Sequence, residues 1–114
     1  MKDKLRTLLE TLGYEAYEQG SFTSEEEYPN SFFTYWNYDT DSKYYSNKAY
    51  LTIWSFWVNF YSNDPTLVES VMNAAVELLL ENNYVVKGKG NDVASGSKHH
   101  SGRELNVYFI EKNW

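Results

Sequence analysis

The sequence contains no cysteine, and this absence excludes disulfide bonds, thiolate metal sites and a cysteine nucleophile. A lack of disulfides is typical of cytosolic proteins. Long apolar runs are missing as well: no stretch approaches the roughly 18 residues of a membrane span. The first residues, MKDKLRTLLETLGY, carry scattered charge and lack the apolar region of a signal peptide. We therefore expect a small soluble protein of the intracellular type.

An excess of positive charge is also missing, because the formal net charge is −6 and the pI is about 4.8. Binding to duplex DNA usually needs a basic face that displaces counterions. The composition therefore argues against sequence-specific binding to nucleic acid. What the chain has in abundance is aromatic residues, at 18% with 11 tyrosines and 4 tryptophans. Such rings fill the core of a small sheet protein or serve a contact surface.

The length of 114 residues fits a single domain spanning residues 1–114. Two segments show the spacing of amphipathic helices. Leucines recur at this spacing in Lys2–Leu12, where Gly13 supplies a stop. The second predicted helix is Pro65–Glu81, with Asp64 as its N-cap and two asparagines at its end. Its apolar stripe consists of Leu67, Val68, Val71, Met72, Ala75, Leu78 and Leu79.

Five segments have the composition and alternation of β-strands. They are Tyr14–Gln19, Ser31–Tyr38, Ala49–Tyr61, a strand that starts at Tyr84, and Arg103–Lys112. The third strand predicts a core face and a wetter face, because successive side chains point to opposite sides. The core face consists of Trp54, Phe56, Val58 and Phe60, and the wetter face of Ser55, Trp57 and Asn59.

The order of elements, α-β-β-β-α-β-β, predicts an α+β fold. We expect one antiparallel or mixed sheet of about 4–5 strands, with both helices packed on one face. A split βαβ or ferredoxin-like arrangement is one instance of this architecture. Polar and glycine-rich composition predicts flexible segments near residues 20–30, with a possible helical turn at Ser24–Glu27, and near 39–48 and 88–102.

Candidate chemical groups are few. The adjacent pair His99 and His100 lacks the spacing of a metal site and has no nucleophile paired with it in a known pattern. The acidic runs at 25–27 and 39–41 match neither a calcium loop nor a recognisable pair of catalytic carboxylates. We therefore expect no catalytic residue, no cofactor and no metal. The sequence also offers a basic cluster, consisting of Lys87, Lys89, Lys98, His99, His100 and Arg103.

Aromatic residues offer a second candidate surface. A stacking platform for sugars or for single-stranded bases would consist of Tyr35, Trp36, Tyr38, Tyr44, Tyr45 and Trp57. The acidic net charge argues against single-stranded nucleic acid, and carbohydrate stays open. Rings of this kind are also buried beneath helices or a neighbouring subunit.

Three segments resemble one known family: YPNSFFTYWN at 28–37, TIWSFWVNFYSNDP at 52–65 and GNDVASGSKHHSGRELNVYFIE at 90–111. The chain resembles small tail-completion or tail-terminator proteins of tailed (siphovirus-type) phages and prophages of Gram-positive bacteria. The resemblance covers most of the chain and lies in structural motifs, since none of them is a catalytic signature.

The resemblance implies a non-enzymatic assembly protein that forms a ring, commonly a hexamer. Such a ring caps the tail tube and presents a surface to the head-side connector, first in the host cytoplasm and then in the virion. The implied partners are further copies of this chain, the tail-tube protein and the connector protein. Candidate interface residues are then Tyr44, Tyr45 and Trp57 together with the basic cluster.

Three alternatives remain open at this stage. The first is another head–tail connector or minor tail component, which sequence barely separates from a tail terminator. The second is a small carbohydrate- or protein-binding module that uses exposed aromatics. The third is a small hydrolase, which would need a cleft that joins His99 or His100 to a carboxylate with a perturbed pKa.

Overall fold

The computed structural model describes residues 2–18, 30–45, 48–94 and 100–112. Within these ranges the chain forms two helices and five strands in the predicted order. The helices and strands are α1 (Lys2–Glu10), β1 (Ala16–Glu18), β2 (Ser31–Tyr45), β3 (Lys48–Ser62), α2 (Pro65–Glu81), β4 (Tyr84–Ala94) and β5 (Ser101–Lys112). The predicted α+β fold is confirmed.

The five strands form one mixed sheet in the order β1-β2-β3-β5-β4. Strand β1 is parallel to β2, and every other neighbouring pair is antiparallel. Strands β3 and β4 are therefore parallel to each other, with β5 between them, and α2 connects them. This part of the chain is a split βαβ unit, one of the two arrangements that the sequence left open. No ferredoxin-like pair of such units is present among the described strands.

The boundaries of both helices follow from local chemistry. Gly13 adopts a φ of 95° just after α1, in the left-handed region that glycine enters at little cost. At the start of α2, the Asp64 side chain accepts a hydrogen bond from the Thr66 amide at 3.0 Å. At its end, Asn83 adopts a φ of 69°. The predicted bounds of α2 are confirmed, whereas α1 ends two residues earlier than predicted.

Both helices cover the same face of the sheet. Leu5 and Leu9 of α1 and the buried stripe of α2 join one hydrophobic core with the inward-facing strand residues. Phe56, Val58 and Phe60 have no exposed surface, which confirms the predicted core face of β3. We call this side of the sheet the helix face, and the opposite side the open face.

The polar segment from Asp39 to Lys48 does not form the predicted loop. Strand β2 continues through Tyr45 and pairs with β3, whose first residue is Lys48; residues 46 and 47 lie outside the described ranges. A β-bulge at Tyr38 allows this continuation. The Asn37 side-chain amide fixes the bulge by donating to the main-chain oxygens of Asp39 at 2.9 Å and of Ser55 at 3.0 Å.

The glycine-rich segment from 88 to 102 also differs from the prediction. Strand β4 continues through Ala94, and β5 begins at Ser101. Gly88 and Gly90 have φ values of 75° and 91°, and they lie in a bulge between Lys87 and Asn91 instead of ending the strand. Residues 95–99 lie outside the described ranges. The same is true of the predicted helical turn at Ser24–Glu27 and of most of the segment near 20–30.

Neither helix in the described part of the chain is long and apolar enough to cross a membrane.

Candidate functional site

The open face carries most of the large exposed hydrophobic side chains of the described chain. Four of its five large exposed hydrophobic side chains lie there, with 38 to 48% of their surface exposed: Trp36, Tyr38, Val85 and Ile110. Neither helix packs on this face, because the inward-facing residues of both helices belong to the core on the helix face. Clustered apolar exposure on a single face marks a site of interaction more often than scattered residues do.

A row of four side chains crosses the middle of the open face, one from each of four adjacent strands. Trp36 of β2 pairs in register with Trp57 of β3, Trp57 pairs with Asn106 of β5, and Asn106 pairs with Lys87 of β4. Directly opposite residues in a sheet have Cβ atoms about 5 Å apart, so neighbours in the row are in contact range. We call these four residues the central row.

Tyr38, the bulged residue of β2, packs against the central row. Its ring stacks on that of Trp57, with ring centroids 5.0 Å apart and an interplanar angle of 26°. Its hydroxyl donates a hydrogen bond to Asn106 Oδ1 at 2.8 Å. Burial, assisted by a hydrogen bond with Tyr108, raises the pKa of the Tyr38 hydroxyl above its ordinary value of 10.0. The upward shift extends the pH range, above neutral, in which the hydroxyl stays protonated and donates to Asn106.

A shallow pocket of about 230 Å³ opens beside the central row. Its lining consists of Trp57, Lys87, Gly90, Asn91, Glu104 and Asn106. The pocket combines one aromatic ring with an ammonium, a carboxylate and two amides. This chemistry suits a polar ligand with an apolar surface, or a side chain of a protein partner.

A second aromatic cluster lies toward the other end of the open face. Phe32 packs against Tyr61 at 5.4 Å and edge-on against His100 at 5.7 Å between ring centroids. Phe32 is only 2% exposed, so this end of the face is packed. Ser55 and Asn59 are buried as well. The predicted wetter face of β3 is therefore wrong for Ser55 and Asn59, and only Trp57 of the three residues is partly exposed.

The structure separates the predicted site residues. Trp57 and Lys87 lie together in the central row. His100 lies on the same face, against Phe32. Arg103 lies two residues before the buried Leu105 on β5, so both side chains point to the helix face. There the Nε of Arg103 is buried without a hydrogen-bond partner in the described residues. The described part of the basic cluster therefore does not form a single surface.

The structure describes the remaining predicted residues only in part. Tyr44 and Tyr45 pair with Ala49 and Lys48 at the end of the β2–β3 hairpin, and their side chains lie outside the described part of the structure. Lys89 falls in the β4 bulge, and its side chain is likewise outside it. Lys98 and His99 are outside the described ranges altogether.

Some residues of the site were not predicted from the sequence, and one residue was predicted on the wrong face of the sheet. Asn106, Glu104 and Asn91 were not proposed as site residues, although the alternation of β5 put Asn106 opposite the core positions. Tyr35, proposed for the aromatic platform, is instead buried on the helix face, and its burial raises the pKa of its hydroxyl. Tyr35 and Trp36 are consecutive residues of β2, so their side chains point to opposite faces of the sheet.

Among the described residues, no three histidine, aspartate or glutamate side chains are grouped so that they could hold a metal ion. In comparisons with known proteins, no protein-family model matches the chain. No curated protein matches it either.

Proposed function

We propose that this chain is a non-enzymatic assembly protein of a tailed phage or prophage, which caps or completes the tail tube and forms the head–tail joining surface. It acts as a ring, and its partners are other copies of itself, the tail-tube protein and the head-side connector protein. It assembles in the host cytoplasm and then remains in the virion. The basis for this identification is the resemblance of three sequence segments to tail-completion proteins.

The structural observation that supports the proposal is the open face. A protein that works by association needs an apolar, aromatic-rich surface that is exposed before assembly, and Trp36 and Tyr38 provide one. Tyr38 is held in place by its stacking on Trp57 and its hydrogen bond to Asn106, so little side-chain freedom remains to be lost on binding. Preorganised aromatic anchors of this type contribute strongly to protein interfaces.

Another head–tail connector or a minor tail component would use the same surface, and the test below separates it from a tail terminator. A carbohydrate- or protein-binding module is favoured by one specific observation. The pocket beside Trp57 places Lys87, Glu104 and two amides next to an indole ring, and these polar groups could hydrogen-bond the hydroxyls of a sugar. Such a module would bind its ligand saturably as a monomer.

The test is the solution mass by light scattering, measured on the protein alone and after mixing with the polymerised tail-tube protein of the same gene cluster. A ring-sized species, or a monomer that joins only tube ends and stops their growth, supports tail termination. A protein that joins isolated connector rings but ignores tubes would be a connector component. A monomer that ignores both and binds sugars contradicts the proposal.

A further inference from the structure

The described sheet leaves main-chain groups without a strand neighbour on both of its outer sides, along part of β2 and along β4. On its outer side, β2 pairs with β1 only at Phe33–Tyr35, so most of this 15-residue strand has no neighbouring strand there among the described residues. The opposite edge is the 11-residue β4, which pairs with β5 alone. Exposed edges of this length present rows of main-chain donors and acceptors that can pair with another strand.

The directions of β2 and β4 allow them to pair antiparallel between two copies. Strands β2, β3, β5 and β4 are successively antiparallel, so β2 and β4 run in opposite directions. If a second copy is placed beside the first in the same orientation, its β2 lies antiparallel to β4 of the first copy. Beyond Tyr35, where β1 of the second copy no longer covers β2, the contact then repeats the antiparallel pairing that the sheet already uses.

The two edges carry opposite charge. The part of β2 beyond Tyr35 contains Asp39, Asp41 and Lys43, a net charge of −1, whereas β4 contains Lys87, Lys89 and Asp92, a net charge of +1. Asp39 pairs in register with Ser55 and Lys87 with Asn106, so both side chains lie on the open face, and both are exposed. Opposite charges on the same face of adjacent strands favour pairing, and like charges oppose it.

We propose that copies of this chain associate head to tail, with the part of β2 that follows Tyr35 in one copy pairing antiparallel with β4 of the next and Asp39 facing Lys87. Such an interface uses two different patches of the subunit, and repetition closes it into a ring or extends it into a filament. The open faces then form one continuous surface. Trp36 of the neighbouring copy approaches the pocket that Lys87 and Gly90 line. This inference deepens the proposed function and depends on it only in taking the ring as the assembled form.

Cross-linking tests the contact directly, and the absence of native cysteine makes engineered thiols unambiguous. The variants Asp39→Cys and Lys87→Cys are mixed at up to about 1 mM chain and treated with a short bis-maleimide, which tolerates small shifts in register. The expected product is a dimer that forms only in the mixture. The double variant should give a ladder of oligomers or a closed ring. The matched control is the mixture of Glu69→Cys and Glu77→Cys, two exposed positions on α2.

Either of two results overturns the inference. One is cross-linking of the 39/87 mixture no stronger than that of the α2 control pair. The other is an equal yield of dimer from one of the single variants alone, which indicates a two-fold symmetric contact. Circular dichroism confirms that each variant is folded, so that absent cross-linking is not mistaken for unfolding.

Charge reversal provides an independent readout that does not need a covalent bond. Asp39→Lys and Lys87→Asp should each weaken self-association, by roughly two- to five-fold per contact. The double reversal should restore it, because the pair is re-formed with its signs exchanged. A double variant as weak as the two single changes combined contradicts the Asp39–Lys87 contact.

The tube assay keeps this inference distinct from the proposed function. If the 39/87 cross-link forms but the assembled protein neither binds nor caps tail tubes, the edge pairing is correct and the proposed function is wrong. If tubes are capped by a ring that gives no 39/87 cross-link, the proposed function is correct and the edge pairing is wrong.

Discussion

Replacing Gly90 with alanine should destabilise the protein far more than the same change at Gly88, although both lie in the β4 bulge. A Cβ atom at position 90 would lie 2.6 Å from the main-chain oxygen of Glu104 and 2.9 Å from Leu105 Cδ2. At position 88 a Cβ would meet nothing within 4 Å. Both glycines have positive φ, of 75° and 91°, where an L-residue costs about 1–2 kcal/mol.

The steric contact at position 90 adds to this shared cost. The main-chain oxygen belongs to β5 and cannot move without disturbing the β4–β5 pairing, and overpacking of this kind costs about 1–3 kcal/mol. We therefore expect Gly88→Ala to lower the free energy of unfolding by about 1–2 kcal/mol and Gly90→Ala by about 2–5 kcal/mol. The second value is a large fraction of the roughly 5–15 kcal/mol that stabilises a typical domain.

Urea denaturation followed by tryptophan fluorescence measures both free energies, and Gly88→Ala serves as the matched control for backbone strain. If the two variants unfold at the same urea concentration with equal slopes, the bulge does not hold Gly90 against Glu104. The segment would then behave as the mobile turn that its glycine content suggests.

Three further predictions concern the cap, a buried hydroxyl and the open face. Asp64→Ala should lower the free energy of unfolding by about 0.5–2 kcal/mol in urea denaturation, because the Thr66 amide loses its acceptor. Burial raises the pKa of Tyr84 to about 12, so above pH 10 the unfolded state releases this proton first and stability falls as the pH rises toward 12. Urea denaturation at several pH values should show a shallower fall for Tyr84→Phe. Trp36→Ser should weaken self-association at least tenfold in light scattering, while Leu80→Ser, a change at a 54% exposed residue of α2, should leave it unchanged.

Each of these predictions has a contradicting outcome. Equal urea midpoints for Asp64→Ala and the parent chain would show that the cap contributes nothing. A pH profile of Tyr84→Phe identical to that of the parent chain would mean that the hydroxyl ionises equally in both states. Equal losses of association at Trp36 and Leu80 would assign the effect to general surface apolarity instead of to the open face.

The core elements of the fold were predictable because single residues decide them. Asp64 and Pro65 fix the start of α2, and the alternation around Phe56 fixes which face of β3 is buried. The strand order was not predictable to the same degree. It depends on β5 inserting between β3 and β4, a pairing between segments far apart in sequence that no local pattern encodes.

The candidate site was predictable only in part, for a related reason. Trp57 was placed on the correct face by alternation within its own strand. Its neighbours Asn106 and Lys87 come from two other strands, and their positions depend on register across the sheet. Register is set by the hairpins and bulges together, so the sequence proposed Lys87 without Asn106 and did not place Lys87 next to Trp57.

The two segments that sequence assigned to loops turn out to shape the site. Each is part of a strand that continues past a β-bulge, which lies at residue 38 just before the first segment and at 88–90 within the second. The first bulge turns Tyr38 onto Trp57 and Asn106, and the second places Gly90 in the wall of the pocket. Bulges re-aim side chains and bend edge strands. Here they lie on the two strands that also carry the free edges. The composition that looks like poor strand sequence is therefore compatible with a strand that bends at a bulge and continues its pairing beyond it.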